Sequence, residues 1–303
     1  MSSLRVGLGQ LAPALGRADE NVAAHHAVID EARDAGVDLL VFPELGLSGY
    51  LLQDLNAEVA MARDDARLSG LAEHARGMST VIGFVERSAE EQLFIAAALL
   101  EDGAIRHVYR KSYLPNYGLF EEQRFFGGGS QLRAVDSRLG VRLGISICED
   151  FWHLPVPYLL ALDGAQILVN ISSSPGRNVA ATVEGGLGTA DSWGTIMRAY
   201  AQLTTCFVVF VNRVGVEESV TFWGGSQVID PAGNVVFAAP MLDQGLFTTD
   251  IDLADLRRER VAMPLLRDER PEFVLRQLER LVREQAGVPD ASVPESGEAD
   301  RRR

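Results

Sequence analysis

The sequence has few cysteines and histidines, the residues that build disulfides and many metal centres. Its 303 residues include two cysteines, Cys148 and Cys206, and five histidines scattered along the chain. Two cysteines so far apart indicate a reducing compartment, not a disulfide-linked secreted domain. The formal net charge of −14 makes the surface repel phosphate backbones and anionic lipids. We therefore expect no nucleic-acid partner and no membrane partner.

Long apolar runs and export signals are also missing. The longest apolar runs, such as Phe94 to Leu100, have the length of a strand and fall far short of the roughly 20 residues that cross a bilayer. The N-terminus, M-S-S-L-R-V-G-L-G-Q, lacks the basic and apolar regions of a secretion signal. Hydrophobic residues still make up 47% of the chain. We expect a globular, cytoplasmic protein, for which small neutral or zwitterionic substrates remain open.

Alternating strands and helices occupy two similar halves of the chain. The first half starts with a strand that stops at Pro13, a helix capped by Asp19, and the strand V-D-L-L-V-F, which together form a β-α-β unit. Further segments are a helix over about residues 57–76, strands over 79–86, 92–101 and 104–110, and, in the second half, strands over 141–147, 166–171 and 206–212 with helices over about 155–163 and 189–204. The pattern predicts an α/β fold, a four-layer α-β-β-α sandwich with mixed sheets in a single domain.

The last part of the chain differs in composition. We expect the sandwich to cover residues 1–262 and a charged helical extension to cover 263–284. Residues 285–303 are rich in proline, serine and acidic residues and have almost nothing to bury, which is typical of a disordered tail.

Cys148 is the candidate nucleophile. It ends the predicted strand V-R-L-G-I-S-I-C, and strand ends in α/β proteins open into ligand crevices. Packing in the core is the alternative, and it is the expected fate of Cys206 in T-T-C-F-V-V-F-V. A thiol with an ordinary pKa is mostly protonated at neutral pH, so Cys148 needs a base, a cation or both.

Two charged residues at other strand ends can supply them. Glu44 follows the proline that ends V-D-L-L-V-F, where partial burial can raise the pKa of a carboxylate. Lys111 ends the strand after the Asp102-Gly103 turn and precedes an aromatic loop. A loop-anchoring glutamate and a surface lysine are the alternative interpretations.

The three strand ends resemble a known family. F-P-E-L at Phe42–Leu45, Y-R-K-S-Y-L-P at Tyr109–Pro115 and I-S-I-C-E-D around Cys148 are similar, in order and spacing, to the signatures of the nitrilase, or carbon–nitrogen hydrolase, superfamily. The resemblance spans about residues 4–262. It implies a Glu44, Lys111 and Cys148 triad in which Glu44 is the base, Lys111 stabilises an oxyanion, and Cys148 forms a thioester. A further family glutamate matches Glu122 by spacing, and the adjacent Glu121 is the alternative.

Longer stretches, including L-P-N-Y-G-L-F-E-E-Q-R-F-F and C-E-D-F-W, resemble the glutaminase domain of glutamine-dependent NAD synthetases. This resemblance implies an amide substrate, not a nitrile, no cofactor, and a homodimer or larger assembly. The residues expected to bind the substrate are Tyr50, Phe120, Glu149, Trp152 and Ser174. The chain has no S-G-G-x-D-S phosphate loop, so we expect either a free-standing amidase or a glutaminase that passes ammonia to a separate synthetase partner.

Other interpretations are weaker. His153 is the rival base, as part of a Cys-His dyad, and a metal pair of Cys148 with His153 lacks zinc spacing. The G-x-G-x-x-A pattern that begins at Gly7 is followed by Pro13, which is unfavourable for a dinucleotide site. G-G-G-S at 127–130 lacks the lysine of a phosphate loop and is interpreted as a turn. An inactive binding protein and a nitrilase are the remaining alternatives.

Overall fold

Strands and helices alternate through the residues that the computed structural model describes, 3–176 and 187–286. The strands are β1 (Ser3–Gln10), β2 (Leu39–Val41), β3 (Ser79–Arg87), β4 (Leu93–Glu101), β5 (Ala104–Arg110), β6 (Ala134–Asp136), β7 (Arg142–Ile147), β8 (Ile167–Ser172), β9 (Phe207–Asn212), β10 (Val214–Glu217), β11 (Val220–Trp223), β12 (Gln227–Ile229), β13 (Val235–Ala238) and β14 (Gly245–Asp252). The helices are α1 (Ala18–Asp34), α2 (Asn56–Val59), α3 (Ala66–His74), α4 (Glu122–Phe125), α5 (Pro155–Leu162), α6 (Gly188–Thr204), α7 (Ala254–Ala262), α8 (Leu265–Asp268) and α9 (Pro271–Gln285).

Two six-stranded sheets of similar design form the centre of the fold. Their strand orders are β14-β1-β2-β3-β4-β5 and β13-β12-β9-β8-β7-β6. In each sheet three neighbouring strands are parallel, β1-β2-β3 and β7-β8-β9, and the outer strands are antiparallel. Parallel strands place their carboxyl ends along one edge of each sheet, and because the two sheets contact each other, residues that follow β2 and β7 can share a crevice.

Helices cover the outer faces of the sheets. Helices α1 and α3 contact the first sheet, and α5 and α6 contact the second. The two sheets also contact each other, β1 against β9 and β4 against β7. Fully buried apolar side chains, among them Ile29, Leu68 and Phe84, fill the layer between the first sheet and its helices. The predicted α-β-β-α sandwich is confirmed.

The predicted helix over 57–76 is wrong in its middle. The chain forms α2 and α3, and Met61 between them pairs with the edge of β3, where its N–H donates to the carbonyl of Val85 at 2.9 Å. Asp65 then starts α3 by accepting a hydrogen bond from the amide of Arg67. Asp19 does not cap α1: it lies inside the first turn, and Arg17 holds the cap position without a side-chain bond.

The chain divides into two units, Met1–Pro264 and Leu265–Arg303. The first contains both sheets, and the second contains α8 and α9. The boundaries at residues 262 and 284 stay predictions, and most of the predicted tail, residues 287–303, lies outside the described residues. No helix within residues 3–176 and 187–286 is both long and apolar enough to span a membrane.

Candidate active site

Glu44 lies in the loop that follows β2 and is fully buried. Pro43 cannot donate a ladder hydrogen bond, so the parallel strand ends before it and the chain turns between the sheets. One carboxylate oxygen of Glu44 accepts from the Lys111 ammonium at 2.8 Å, and the other accepts from the amide of Ser173 at 2.8 Å. Both oxygens are therefore oriented by donors from different parts of the chain.

Lys111 follows β5 and is also fully buried. Its Nζ donates to Glu44 and to Glu122, each at 2.8 Å. Burial alone would lower the pKa of Lys111, but the carboxylates of Glu122 and Glu44 raise it well above its usual value. The side chain therefore remains an ammonium ion at neutral pH. The surface-lysine interpretation is wrong for this residue.

Glu122 starts helix α4 and is buried beside Lys111. Its Oε1 accepts from both the Lys111 ammonium and the hydroxyl of Tyr50, the latter at 2.5 Å, while Oε2 has no partner among the described residues. Burial raises the pKa of Glu122 to about 7, although Lys111 opposes this rise. Burial and the charges of Glu122 and Glu44 also raise the pKa of Tyr50, so its phenol stays a donor.

Cys148 directly follows β7 and begins a short 3-10 turn, Cys148–Trp152. Its φ of +45° places a residue with a side chain in the left-handed region, a conformation that is often retained at functional sites. The thiol is free and buried. Burial and the charge of Glu44 raise its pKa well above the usual value, while Lys111 lowers it. The charges of Glu44, Lys111 and Glu122 thus all influence the pKa of this thiol.

Asp150 and Ser173 support this group of side chains, and sequence analysis missed both. The Asp150 carboxylate accepts from the amides of Ile147 and Tyr113, at 2.9 and 3.0 Å, and from the hydroxyl of Tyr109 at 2.8 Å. It thereby joins the cysteine turn to the lysine loop. Asp150 could have been singled out because it lies two residues after Cys148. Ser173 could have been singled out because it belongs to the run of serines that follows β8.

The hairpin of β10 and β11 holds the Tyr50 loop, and sequence analysis missed this contact as well. Glu217 accepts from the amides of Tyr50 and Leu51, at 3.0 and 2.9 Å, and pairs with the buried guanidinium of Arg213. These residues are far apart in sequence, so local patterns carried no signal of the contact.

A cavity of about 260 Å³ opens beside Cys148. It is lined by Tyr117, Phe120, Cys148, Glu149, Trp152, Ser174, Pro175, Thr189, Ser192 and Trp193. Four of the five predicted substrate residues therefore lie around one cavity with the thiol. Tyr50 lines a neighbouring cavity together with Glu122, and its ring centroid is 6.3 Å from that of Phe120.

Two polar side chains of the cavity, Glu149 and Ser174, are each fixed by hydrogen bonds. Glu149 accepts from the hydroxyl of Tyr117 at 2.9 Å. The hydroxyl oxygen of Ser174 accepts from the indole N–H groups of Trp193 and Trp223, at 2.9 and 3.4 Å, and its own hydrogen has no acceptor among the described residues. The cavity thus offers a carboxylate and a hydroxyl donor near the thiol.

His153 is held away from a base role by its own contacts. Its ring stacks on Tyr113 with centroids 3.7 Å apart, and its Nε2 is 3.6 Å from Glu149. No hydrogen bond within the described part of the chain joins it to Cys148. No group of three or more possible metal ligands occurs among the described residues. Cys206 is fully buried, and its thiol donates to the carbonyl of Ala165.

Comparison with known proteins gives matches over most of the chain. A family model described as carbon–nitrogen hydrolase matches residues 5–260. A glutamine-dependent NAD(+) synthetase from Thermotoga maritima is 35% identical over 271 residues, which cover 87% of this chain and 45% of that protein. The chain spans somewhat less than half the length of the curated relatives of this kind that it matches.

Solved structures with a similar fold are also found. A carbon–nitrogen hydrolase from Helicobacter pylori G27 has a TM-score of 0.80 and 26% identity, covering 91% of this chain and 98% of that chain. An amidase of the nitrilase superfamily from Nesterenkonia AN1 has a TM-score of 0.76 and 25% identity, with coverages of 91% and 98%.

Proposed function

The chain belongs to the carbon–nitrogen hydrolase family, and from this premise we propose that it cleaves a small linear carboxamide to a carboxylic acid and ammonia. The observation that carries the proposal is the placement of a buried ammonium, Lys111, between the carboxylates of Glu44 and Glu122, with all three acting on the thiol of Cys148. Burying such a charge cluster carries a desolvation cost, and clusters of this kind are common at functional sites.

The first half of the reaction forms a thioester. Because the pKa of Cys148 is raised, the resting group is a thiol, and Glu44 takes its proton as the sulfur attacks the amide carbon. The carbonyl oxygen becomes an oxyanion, which the Lys111 ammonium and a backbone N–H near Cys148 stabilise. Glu44 then delivers the proton to the nitrogen, the C–N bond breaks, and ammonia leaves.

The second half releases the acid. Glu44 removes a proton from water, whose oxygen attacks the thioester carbon, and the same lysine again stabilises the oxyanion. The C–S bond breaks, and the proton returns to the sulfur. Glu122 holds Lys111 in place, since its Oε1 accepts from both Lys111 and Tyr50.

The substrate that fits the cavity best is glutamine-like. Glu149 supplies a negative charge for an α-ammonium group, and Ser174 supplies a hydroxyl donor. Phe120 and Trp152 line the same cavity and pack the carbon chain between them. Tyr50 acts through Glu122. A nitrile is the alternative substrate, and it would yield acid and ammonia only after a second hydration.

A second candidate function is supply of ammonia to a separate synthetase partner. It is favoured by the similarity to NAD synthetases, of which the chain covers less than half. Assembly as a homodimer or larger oligomer stays a prediction.

Mass spectrometry of the intact protein mixed with amides tests the proposal. We expect glutamine, and a panel of short carboxamides, to give an adduct equal to the amide minus ammonia, with free ammonia in the medium. Cys148→Ser should give no thioester, whereas Cys206→Ser, which changes the other free cysteine, should react as wild type does. Glu44→Gln should lower kcat by about 10²–10⁴-fold. An adduct that persists in Cys148→Ser, or full activity in Glu44→Gln with loss in His153→Ala, would contradict the triad.

A further inference from the structure

A second, larger cavity lies at the edge of the first sheet, beside strand β5. Its volume is about 510 Å³, within the range of small-molecule sites. Arg63, Arg110 and Arg133 line it together with His107, and the loop Gly127–Ser130 forms part of its wall. We refer to it as the arginine cavity. It contains none of the residues assigned to the amide reaction.

The arginine cavity has more positive than negative charge. Arg63 and Arg110 share one carboxylate, that of the buried Glu86, at 2.7 and 2.6 Å. Arg133 makes no ion pair and no side-chain hydrogen bond within the described part of the chain. The hydrogen bond with Glu86 raises the pKa of Arg110, and the charge of Glu90, outside the lining, adds to this. Three guanidinium groups therefore surround this space in a protein whose formal net charge is −14.

The guanidinium groups of Arg63 and Arg110 are held in place. Glu86 accepts from two nitrogens of Arg110, and the Arg110 guanidinium lies 3.9 Å from the ring centroid of Phe94. Arg63 uses its Nε for Glu86, which leaves its terminal nitrogens for another partner. A fixed guanidinium loses less freedom when it binds an anion, so two of the three donors are preorganised.

The glycine loop completes the wall because two of its residues fit only without a side chain. A Cβ on Gly129 would lie 2.1 Å from the carbonyl oxygen of Arg110, and one on Gly127 would lie 2.8 Å from the ring of Phe94. The loop therefore lies directly on the main chain of β5, and Gly129 donates to the carbonyl of Lys111 at 2.8 Å. Sequence analysis interpreted this stretch only as a turn.

From these contacts we propose that the arginine cavity is a binding site for a small multiply charged anion of the phosphate class, either free phosphate or a phosphate ester. Planar guanidinium groups match the paired oxygens of such anions, and three of them suit a dianion better than a single carboxylate. The loop that bounds the site also bonds the main chain of Lys111, so an occupant lies one loop away from the amide site. The inference does not depend on the proposed reaction.

Isothermal titration calorimetry on the full chain at low salt tests the site. The probes are inorganic phosphate, pyrophosphate and adenosine monophosphate, with acetate as a singly charged comparison. We expect one equivalent of at least one phosphate probe to bind more tightly than acetate. Arg133→Gln and Arg63→Gln should each weaken binding by about tenfold or more. Equal binding of phosphate and its ester would assign recognition to the phosphate group alone, and tighter binding of the ester would add its organic part.

The matched control is Arg106→Gln. Arg106 is an exposed arginine on the same strand, paired with Asp102 and outside the cavity. The Arg106→Gln variant should bind the phosphate probes as tightly as wild type does. Cys148→Ser should do so too, which makes phosphate binding independent of the amide chemistry. Circular dichroism checks that each variant is folded. Absence of binding by every phosphate probe, or equal weakening in Arg133→Gln and Arg106→Gln, would overturn the proposal.

Discussion

At the scale of single residues, the thiol of Cys148 is subject to opposing charges. Glu44 and burial raise its pKa, and Lys111 lowers it. A carboxylate that raises the thiol pKa is also the group that can accept the proton, so the sulfur becomes reactive only as the proton moves. The raised pKa therefore keeps the Cys148 sulfur as a thiol at neutral pH.

This balance predicts how alkylation depends on pH. In a Cys206→Ser background, the rate of reaction with iodoacetamide should still be rising at about pH 9, because the thiol pKa is raised. Glu44→Gln removes a charge that raises the pKa, so its midpoint should move to lower pH. Lys111→Met removes a charge that lowers the pKa, so its midpoint should move to higher pH. Both shifts are measured by quenching the alkylation at set times over a series of pH values and determining the labelled fraction by mass spectrometry.

The opposite order of midpoints would contradict the electrostatic account of the site. Cys148→Ser in the same background controls for alkylation elsewhere and should show no labelling. Because the midpoint reports the thiol and not turnover, the result is independent of the substrate.

The residues that the sequence revealed are those that end strands in recognisable motifs. Glu44, Lys111 and Cys148 each follow a strand, and resemblance to a known family gave them roles. Asp150 and Glu217 were not foreseen, because each acts by accepting backbone N–H groups from segments that are distant in sequence. Such contacts depend on how the loops pack, which no local pattern records.

At the scale of elements, the loop that carries Glu44 depends on a glycine in the neighbouring strand. A Cβ on Gly83 of β3 would lie 2.5 Å from the carbonyl oxygen of Pro43 and 2.7 Å from the amide of Leu45. Real Cβ atoms do not come so close to backbone. Strand β3 can therefore pack against this loop only with glycine at position 83, because any side chain would meet the backbone of the loop.

Gly83→Ala should displace the loop and lower kcat by about 10²-fold, since a shift of about 1 Å in a catalytic group has that effect. Overpacking should also lower the free energy of unfolding by about 1–3 kcal/mol. Steady-state kinetics and urea unfolding measure the two effects. Gly70→Ala is the matched control: Gly70 lies in helix α3 with no neighbouring atom within 4 Å of its Cβ position.

Alanine at position 70 should leave kcat unchanged and raise stability by up to about 1 kcal/mol, because alanine is the better helix former. Wild-type activity in Gly83→Ala would show that the loop can move without harm to the site.

Elements were predictable where local chemistry decided them. Strands β4 and β5 meet at Asp102-Gly103, whose φ values of +52° and +79° suit a two-residue hairpin turn. The helix over 57–76 failed because Met61 pairs with β3, a contact formed only in the tertiary structure. Strand β14 was missed although it pairs with β1 along its full length. Its partly exposed, polar sequence resembles that of a loop.

At the scale of the whole molecule, the site exists because the two sheets face each other. Glu44 follows a strand of the first sheet, and Ser173 follows a strand of the second. The Glu44 carboxylate accepts from the Ser173 amide, and the Glu44 main-chain carbonyl accepts from the Ser173 hydroxyl, each at 2.8 Å. Gln10 of β1 likewise joins the two sheets, because its side-chain oxygen accepts from the main-chain amide of Ser226, just before β12, at 2.9 Å. Relative movement of the sheets would therefore change the position of the Glu44 carboxylate.

All of these contacts lie within the unit Met1–Pro264, and this placement predicts the effect of shortening the chain. A chain ended after Pro264 should keep the melting temperature and kcat of the full chain. A chain ended after Leu253 loses α7, in which Leu256 is buried and Arg260 donates to the carbonyl of Ala165 at 3.0 Å. Differential scanning calorimetry and amide hydrolysis compare the two truncations.

The two truncations should differ because they remove different kinds of contact. Losing a buried leucine costs about 1.5–3 kcal/mol, and losing a charged hydrogen bond adds about 1.5 kcal/mol or more. The chain ended after Leu253 should therefore melt several degrees lower. Since Ala165 also accepts from the thiol of Cys206, its carbonyl retains one donor, which limits the loss. Equal melting temperatures for both truncations would mean that α7 adds little to the sandwich, and a large loss at Pro264 would extend the functional unit into residues 265–303.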